Sequence, residues 1–385
     1  MKIGIFGGTF NPPHKGHVRM VNKMAEELEL DKVIIIPNKV PTHKRCDDLA
    51  DNRDRVAMCK IAFNNPKFEI STMEIDRATD SYTIFTINEL KQKYPNDDLY
   101  LIIGSDMFLI FHKWYKHKEL LEKCTICPHN CKINRLEEQI GRCKSKDTLK
   151  IALYSTHNFE EPCISGKKGS GTVFFSNCNL NCVFCQNYEI SQQGNGKEIT
   201  IEELAEIFIK QQENDVENIN LVTPTTYVPQ IIEAIKIARK NGLKIPIVYN
   251  TNGYEKVETL KMLEGYIDIY LPDLKYSDNL LAKQLSKVDN YFETATKAIK
   301  EMYRQVGKAK FNENGIMQKG MIIRHLVLPN HILNSRRVLK WINENMNDVH
   351  VSVMAQYFPT YKAKDIDDIN RKLTQKEYDE IENYL

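Results

Sequence analysis

The sequence predicts an α/β protein built in two parts. Three observations carry this. A short apolar strand, Lys2–Phe6, runs into the glycine turn Gly7-Gly8 and then a helix from about Val18 to Leu28. From residue 199 onward, strand-length apolar runs alternate with helical stretches, the pattern of repeating β–α units around a parallel sheet with right-handed crossovers. Between these parts, eight of the ten cysteines fall between Cys124 and Cys185.

The totals set limits. A chain of 385 residues suits two domains or one large one. Its formal net charge of +2 gives no polyanion-binding signal, so no nucleic-acid partner is expected. Hydrophobic residues make up 42%, enough for globular cores. No apolar run approaches the ~20 residues that span a bilayer, so no membrane association is expected. The start, Met-Lys-Ile-Gly-Ile-Phe-Gly-Gly, reads as a strand and turn rather than a signal peptide. Cysteines at short, ligand-like spacings fit metal binding in a reducing cytoplasm better than a set of extracellular staples.

The first part opens with Gly7-Gly-Thr-Phe-Asn-Pro-Pro-His-Lys-Gly-His17. A strand, a glycine turn and a helix N-terminus make an anion site from backbone N–H groups and the helix dipole. His14 and His17 form H-x-G-H, and two imidazoles beside a triphosphate can stabilise charge that develops during nucleotidyl transfer. The plainer reading is two solvated turn histidines. The whole string resembles nicotinate mononucleotide adenylyltransferase, a Rossmann-like nucleotidyltransferase. Further pieces of the resemblance follow in order: Pro41-Thr-His-Lys44, Ser81-Tyr-Thr-Ile-Phe-Thr86, Leu101-Ile-Ile-Gly-Ser-Asp106 and Phe111-His-Lys-Trp114. It implies that Gly8, Thr9 and Lys44 contact phosphates, that Asp106 contacts the adenosine and that Trp114 stacks on the pyridine ring, with ATP and magnesium as candidate ligands. The resemblance stops near Cys124. The family's late Ser/Thr-rich segment ending in arginine is not found beyond it, so this first part is expected to be an incomplete nucleotidyltransferase half spanning 1–123. A natural fusion and a joined gene fragment both fit.

Cys124-Thr-Ile-Cys127-Pro-His-Asn-Cys131 and Cys143 follow, a C-x2-C-x3-C-x11-C set in a junction segment taken as 124–162. Four thiols at this spacing suit tetrahedral zinc or another cluster. Free thiols are the alternative. Cys46, Cys59 and Cys163 read as isolated small thiols.

The third segment, 163–385, begins with Gly166, Gly169 and Gly171 ahead of a β-branched and aromatic strand, Thr172-Val-Phe-Phe175. That strand leads into Cys178-Asn-Leu-Asn-Cys182-Val-Phe-Cys185. Three thiolates on one tight loop can bind three irons of a [4Fe–4S] cluster and leave the fourth iron open to a small chelating molecule. Structural zinc would ordinarily want a fourth protein ligand, and three packed thiols are the other alternative. With Phe184 before the last cysteine, the motif resembles the radical S-adenosylmethionine (SAM) enzymes. The stretch Ile164–Ser191 is very similar to proteins related to pyruvate formate-lyase activating enzyme. This resemblance covers about 124 to the end, and it implies a SAM molecule at the open iron of a cluster on Cys178, Cys182 and Cys185.

The remaining elements read as a helix at Ile201–Gln212 capped by Thr200, a strand at Ile219–Thr223 and a helix at Val228–Asn241. A strand at Pro246–Tyr249, a helix at Glu255–Glu264 and a strand at Ile267–Leu271 come next. A helix near Tyr291–Val306, a strand at Met321–Val327, a helix at Asn334–Asn345 and a strand at Val349–Val353 complete the series. The resemblance makes this a partial (β/α)6 barrel, whose sites sit at the C-terminal strand ends. Those ends carry Thr223 and Thr225, Asn250 and Asn252, Asp273 and Lys275, and Arg324 beside His325. As cofactor-binding candidates, the threonines stand where many of these enzymes have Gly-Gly-Glu, and Arg324 is suited to pairing a SAM carboxylate. The expectation is a cytoplasmic radical SAM enzyme of the glycyl-radical activase type. Its substrate would include a protein glycine, and its electron donor would be a flavodoxin or ferredoxin. A nicotinate-nucleotide adenylyltransferase of NAD biosynthesis with a redox accessory part, and a misjoined product, are the rivals.

Overall fold

The computed structural model describes residues 1–40, 48–78, 81–104, 124–135 and 138–384. The chain forms two compact units, Met1–Glu122 and Lys123–Leu385.

The first unit is built on β1 (Lys2–Gly8), β2 (Lys32–Pro37), β3 (Phe68–Ile70) and β4 (Asp98–Ile102), ordered β3-β2-β1-β4 with every neighbour parallel. The strands carry side chains to both faces, so apolar residues occupy consecutive positions. Ile3, Ile5, Ile34 and Ile36 pack on one face with Ile87 and Leu90. Phe6, Val33 and Ile35 pack on the other with Val21 of α1 (Lys15–Glu27) and Phe63. Burial on both faces is what a parallel sheet requires. Cys59 lies in this second core, fully buried.

The second unit holds a nine-stranded sheet. Six of its strands run parallel: β6 (Ser170–Phe175), β8 (Ile219–Val222), β9 (Ile247–Thr251), β10 (Ile269–Pro272), β12 (Met317–Leu326) and β13 (His350–Met354). Between them they form the partial (β/α)6 barrel. Three further strands run antiparallel: β5 (Leu149–His157) on β6, β7 (Lys197–Ile199) on β5 and β11 (Lys310–Phe311) on β12. The register aligns Thr172, Asn220, Val248 and Ile269 across neighbouring strands, so these residues share the inner face. Val248, Ile269, Leu271, Ile322 and Met317 close the interior with Ile164. The alternate residues, among them Val173, Leu221, Tyr249, Tyr270 and Ile323, meet the surrounding helices. Deleting one such side chain to alanine typically costs ~2–5 kcal/mol. Thr200 caps its helix in a reciprocal pair with Glu203, as its sequence position predicts.

Candidate functional site

In the second unit, Cys178, Cys182 and Cys185 follow the C-terminal end of β6. Two backbone bonds pin their loop to the neighbouring helix end, Asn181 N–H to Ser286 O (3.1 Å) and Val183 N–H to Leu285 O (2.8 Å). Leu180 and Val183 sink into the core, and this fixes which way the thiols face. Cys178 Sγ accepts from Leu180 N–H and from Asn252 Nδ2, both at 3.4 Å. Ser286 Oγ is 3.0 Å from Cys182 Sγ, and Ser191 Oγ is 3.1 Å from Cys185 Sγ. Burial raises the Cys178 thiol above its ordinary range, with the other two cysteines adding to the rise. Burial also pushes Cys182 up to about 11, against the pull of the nearby Lys275 ammonium.

Asn252 ties this loop to the end of β9, two strands away across the sheet. It donates to Asn179 Oδ1 at 2.8 Å, and its own Oδ1 accepts from Tyr254 N–H at 2.9 Å. Gly253 is required here: its φ is +79°, and a Cβ would lie 2.2 Å from Asp273 O. Phe184, a cofactor-binding candidate from its place in the motif, packs in the core with its ring edge-on to Tyr357 at 5.9 Å.

Asp273, Lys275, Asn250 and Arg324 converge at the mouth of the barrel. Lys275 Nζ reaches Asp273 Oδ2 at 2.6 Å, Arg324 Nε reaches Asp273 Oδ1 at 3.0 Å, and Arg324 NH2 reaches Asn250 Oδ1 at 2.5 Å. Glu160 adds a carboxylate 3.5 Å from Arg324 NH1. Burial alone would raise Asp273, but Lys275 and Arg324 hold it below its ordinary range. Burial raises Glu160 despite Arg324 beside it. The guanidinium of Arg324 is thus engaged by the protein itself, which makes it a brace between strand ends rather than a spare fork for a carboxylate.

Thr225 is likewise committed. Its hydroxyl donates to Glu255 Oε1 at 2.6 Å, as do Thr251 at 2.5 Å and Tyr249 at 3.3 Å. Thr223 sits at the strand end with φ +60° and part of its surface open. His325 points the other way from Arg324, buried against Leu274 O (2.7 Å) and Ser335 Oγ (2.8 Å); burial lowers it to about 4. Sequence reading missed Glu160, Glu255 and Tyr291. The Tyr291 hydroxyl lies 2.8 Å from Asn252 O and 3.0 Å from Asp273 O. Only the Glu-Glu pair 160–161, polar beside an apolar helix turn, gave any signal.

The junction cysteines fold back on themselves through Cys124 N–H to Ile133 O (2.7 Å) and Lys132 N–H to Cys124 O (3.0 Å). Burial pushes Cys127 up to about 12, with Cys143 and Cys124 near enough to add to the rise. Cys131 Sγ accepts from Arg142 N–H at 3.5 Å. Among the described residues, no three His, Cys, Asp or Glu side chains close on a single-ion site. The Cys178 loop offers the three thiols a four-iron cluster would take, on a backbone anchored at Asn181 and Val183. His129 Nε2, 2.7 Å from Asn179 O, joins the junction segment to the Cys178 loop. A cavity of about 330 Å³ lies there, lined by Cys143 and Cys178 among others.

In the first unit, His14 caps α1 and exchanges bonds with His17: His17 N–H to His14 Nδ1 at 3.3 Å, and His14 N–H to His17 Nδ1 at 3.2 Å. The rings stack with centroids 3.6 Å apart. Because each Nδ1 accepts, Nε2 carries the proton in the neutral rings. Gly8 leaves room for Phe10, whose ring would lie 2.9 Å from a Cβ there. Buried Arg55 holds the turn by donating to Thr9 O at 2.7 Å. Lys44, Asp106 and Trp114 lie outside the described residues.

Two family matches align with these sites. Residues 5–166 match the Cytidylyltransferase-like family, and residues 172–317 match the Radical SAM superfamily. The chain joins a cytidylyltransferase-like part to a radical SAM part. It belongs to one family with an uncharacterised protein of Methanocaldococcus jannaschii, 37% identical over 281 residues that cover 70% of this chain and 75% of that protein. A nicotinate-nucleotide adenylyltransferase of Bacillus subtilis is 49% identical over 121 residues, 31% of this chain, and the chain spans 64% of that relative's length. Among solved structures, methylornithine synthase aligns with TM-score 0.40 and 18% identity over 56% of this chain and 61% of that one. The cytidylyltransferase-like match runs past Glu122, although residues 149–157 form a strand of the second unit's sheet. No helix among the described residues is long and apolar enough to cross a membrane.

Proposed function

We propose that the radical SAM part holds a [4Fe–4S] cluster on Cys178, Cys182 and Cys185 and binds SAM at the remaining iron, in the manner of a glycyl-radical activase with a protein glycine as substrate. The observation that carries this is the three-thiol loop fixed at the barrel's C-terminal mouth beside a second strand end through Asn252. A cluster bound there supplies one electron for the cleavage of SAM to methionine and a 5′-deoxyadenosyl radical, which abstracts the substrate hydrogen.

The chain's own residues prepare the place. Asn252 and the Leu180 N–H donate to Cys178, and bonds to a ligand sulfur favour its thiolate. The Lys275 ammonium offsets negative charge near Cys182. Arg324, Asp273 and Asn250 lock three strand ends in one arrangement, so the polar groups above them keep their spacing. Reconstituted anaerobically, the protein should give the electron paramagnetic resonance of one reduced [4Fe–4S] cluster, altered by adding SAM. A signal that SAM leaves unchanged would defeat the reading.

A second reading concerns the first unit. The His14–His17 pair above a glycine turn favours nucleotide phosphates. We infer weak nucleotide binding there without dinucleotide synthesis at a useful rate, since the matched relative extends well beyond the part this chain shares.

A further inference from the structure

The cavity beside Cys178 carries charge that the protein does not neutralise. Arg142, Lys144 and Lys287 line it together with Cys143 and Cys178, and all three cations are exposed. Their hydrogen-bond partners are neutral carbonyls. Lys144 Nζ donates to Gln192 O at 3.3 Å, Lys287 Nζ to Gln284 O at 2.9 Å and the Arg142 guanidinium to Lys287 O. Among the described residues none of the three forms an ion pair. Asp289, two residues beyond Lys287, pairs instead with Lys283 at 3.0 Å. In a chain whose charges nearly balance, at 53 basic against 51 acidic residues, three uncompensated cations around one concavity call for an anionic partner.

The position of the cavity says which partner. It is lined by Asn179, Leu180 and Asn181 of the Cys178 loop, whereas Asn252 meets Cys178 from the end of β9. None of Asn250, Asn252, Asp273, Lys275 and Arg324 lines the cavity, so a group seated there reaches Cys178 away from the barrel-mouth residues. We propose that this face is the docking surface of an acidic one-electron carrier protein, and that the electron enters the cluster beside Cys178. The step balances simply: the carrier loses one electron and the cluster gains it, with no bond made or broken. The inference rests on the cluster assignment above. Complementary charge of this kind chiefly raises the association rate, by ~10- to 1000-fold, and salt screens it.

The test compares two reductants on the reconstituted full chain. Dithionite is a small reductant that needs no docking surface; reduced flavodoxin of acidic isoelectric point is the protein donor. The variants are Lys144→Glu/Lys287→Glu and its milder counterpart Lys144→Gln/Lys287→Gln. The readouts are the ratio of flavodoxin-driven to dithionite-driven 5′-deoxyadenosine formation at low salt, and the Kd of oxidised flavodoxin by calorimetry. The charge reversal should lower the ratio tenfold or more and weaken Kd by a similar factor, with the Gln pair in between. Added salt should slow the wild type with flavodoxin but barely change the reversed variant. An unchanged ratio and an unchanged Kd would overturn the proposal. So would a variant that loses phosphate binding while keeping its flavodoxin ratio, which would make the cavity a small-anion site. If dithionite yields no 5′-deoxyadenosine from the wild type while flavodoxin still binds, the cluster assignment fails and the proposal falls with it.

Discussion

Replacing Glu255 by glutamine should remove a pH-dependent instability from the radical SAM unit. The carboxyl is fully buried at 1% exposure, and three hydroxyls, from Thr225, Thr251 and Tyr249, crowd Oε1. Oε2 is buried without a partner. Burial dominates and raises the group from its ordinary 4.5 to about 7. At ~1.4 kcal/mol per pH unit, keeping it ionised in the folded chain costs about 3 kcal/mol. The sign follows from the raised value. Below about 4.5 both states hold the proton and nothing is lost. As pH rises toward 7 the unfolded chain ionises first, and stability falls until the folded group ionises too. Between pH 5 and 8 the cluster-free wild type should therefore lose about 2–3 kcal/mol relative to Glu255→Gln, whose side chain does not titrate. Scanning calorimetry should show the second unit's Tm in the variant pulling ahead by ~5–10 °C over that range. Parallel pH profiles for the two proteins would refute the reasoning.

Further outcomes can be checked on the same material. Arg324→Ala leaves Glu160 without its cation and Asp273 with Lys275 alone, so it should cost ~3–5 kcal/mol in denaturant unfolding; a loss under ~1 kcal/mol would show that the brace is not structural. The spacing of Cys124, Cys127, Cys131 and Cys143 suits zinc, yet their thiols do not close on a single ion here, so a metal would have to draw them together; metal analysis of the protein lacking Cys178, Cys182 and Cys185 should find one zinc per chain if it does, and finding neither zinc nor residual iron would remove that site. Given ATP, magnesium and nicotinate mononucleotide, the chain should release pyrophosphate far below ordinary enzyme rates, because loss of one positioned donor alone typically costs ~100- to 1000-fold. Turnover on the order of 1 per second, abolished by His17→Ala, would make the first unit a complete catalyst.

The parallel strands were legible because burial on both faces writes itself as short apolar runs, as in Ile247-Val-Tyr249 and Ile269-Tyr-Leu271. The cysteine loop was legible because its spacing is local. The antiparallel β5 was not, since its outer half exposes Leu153 and Tyr154 and breaks the apolar pattern. With β5 unseen, nothing in the sequence could bring Glu160 to Arg324, 164 positions later. Thr225 read as a ligand candidate from its strand end, but its partner Glu255 looked like the first turn of a helix that in fact begins at Val257. Arg324 was placed correctly at a strand end. Its partners come from two neighbouring strands and a flank segment, and only the folded register reveals that they occupy it.

The account turns on whether the Cys178 loop makes a radical from SAM. The direct measurement is 5′-deoxyadenosine formed anaerobically by the reconstituted chain with SAM and dithionite, beside the Cys178→Ala/Cys182→Ala/Cys185→Ala variant. The wild type should form 5′-deoxyadenosine and methionine in equal amounts and the triple variant none. A triple variant that still cleaves SAM would contradict the assignment.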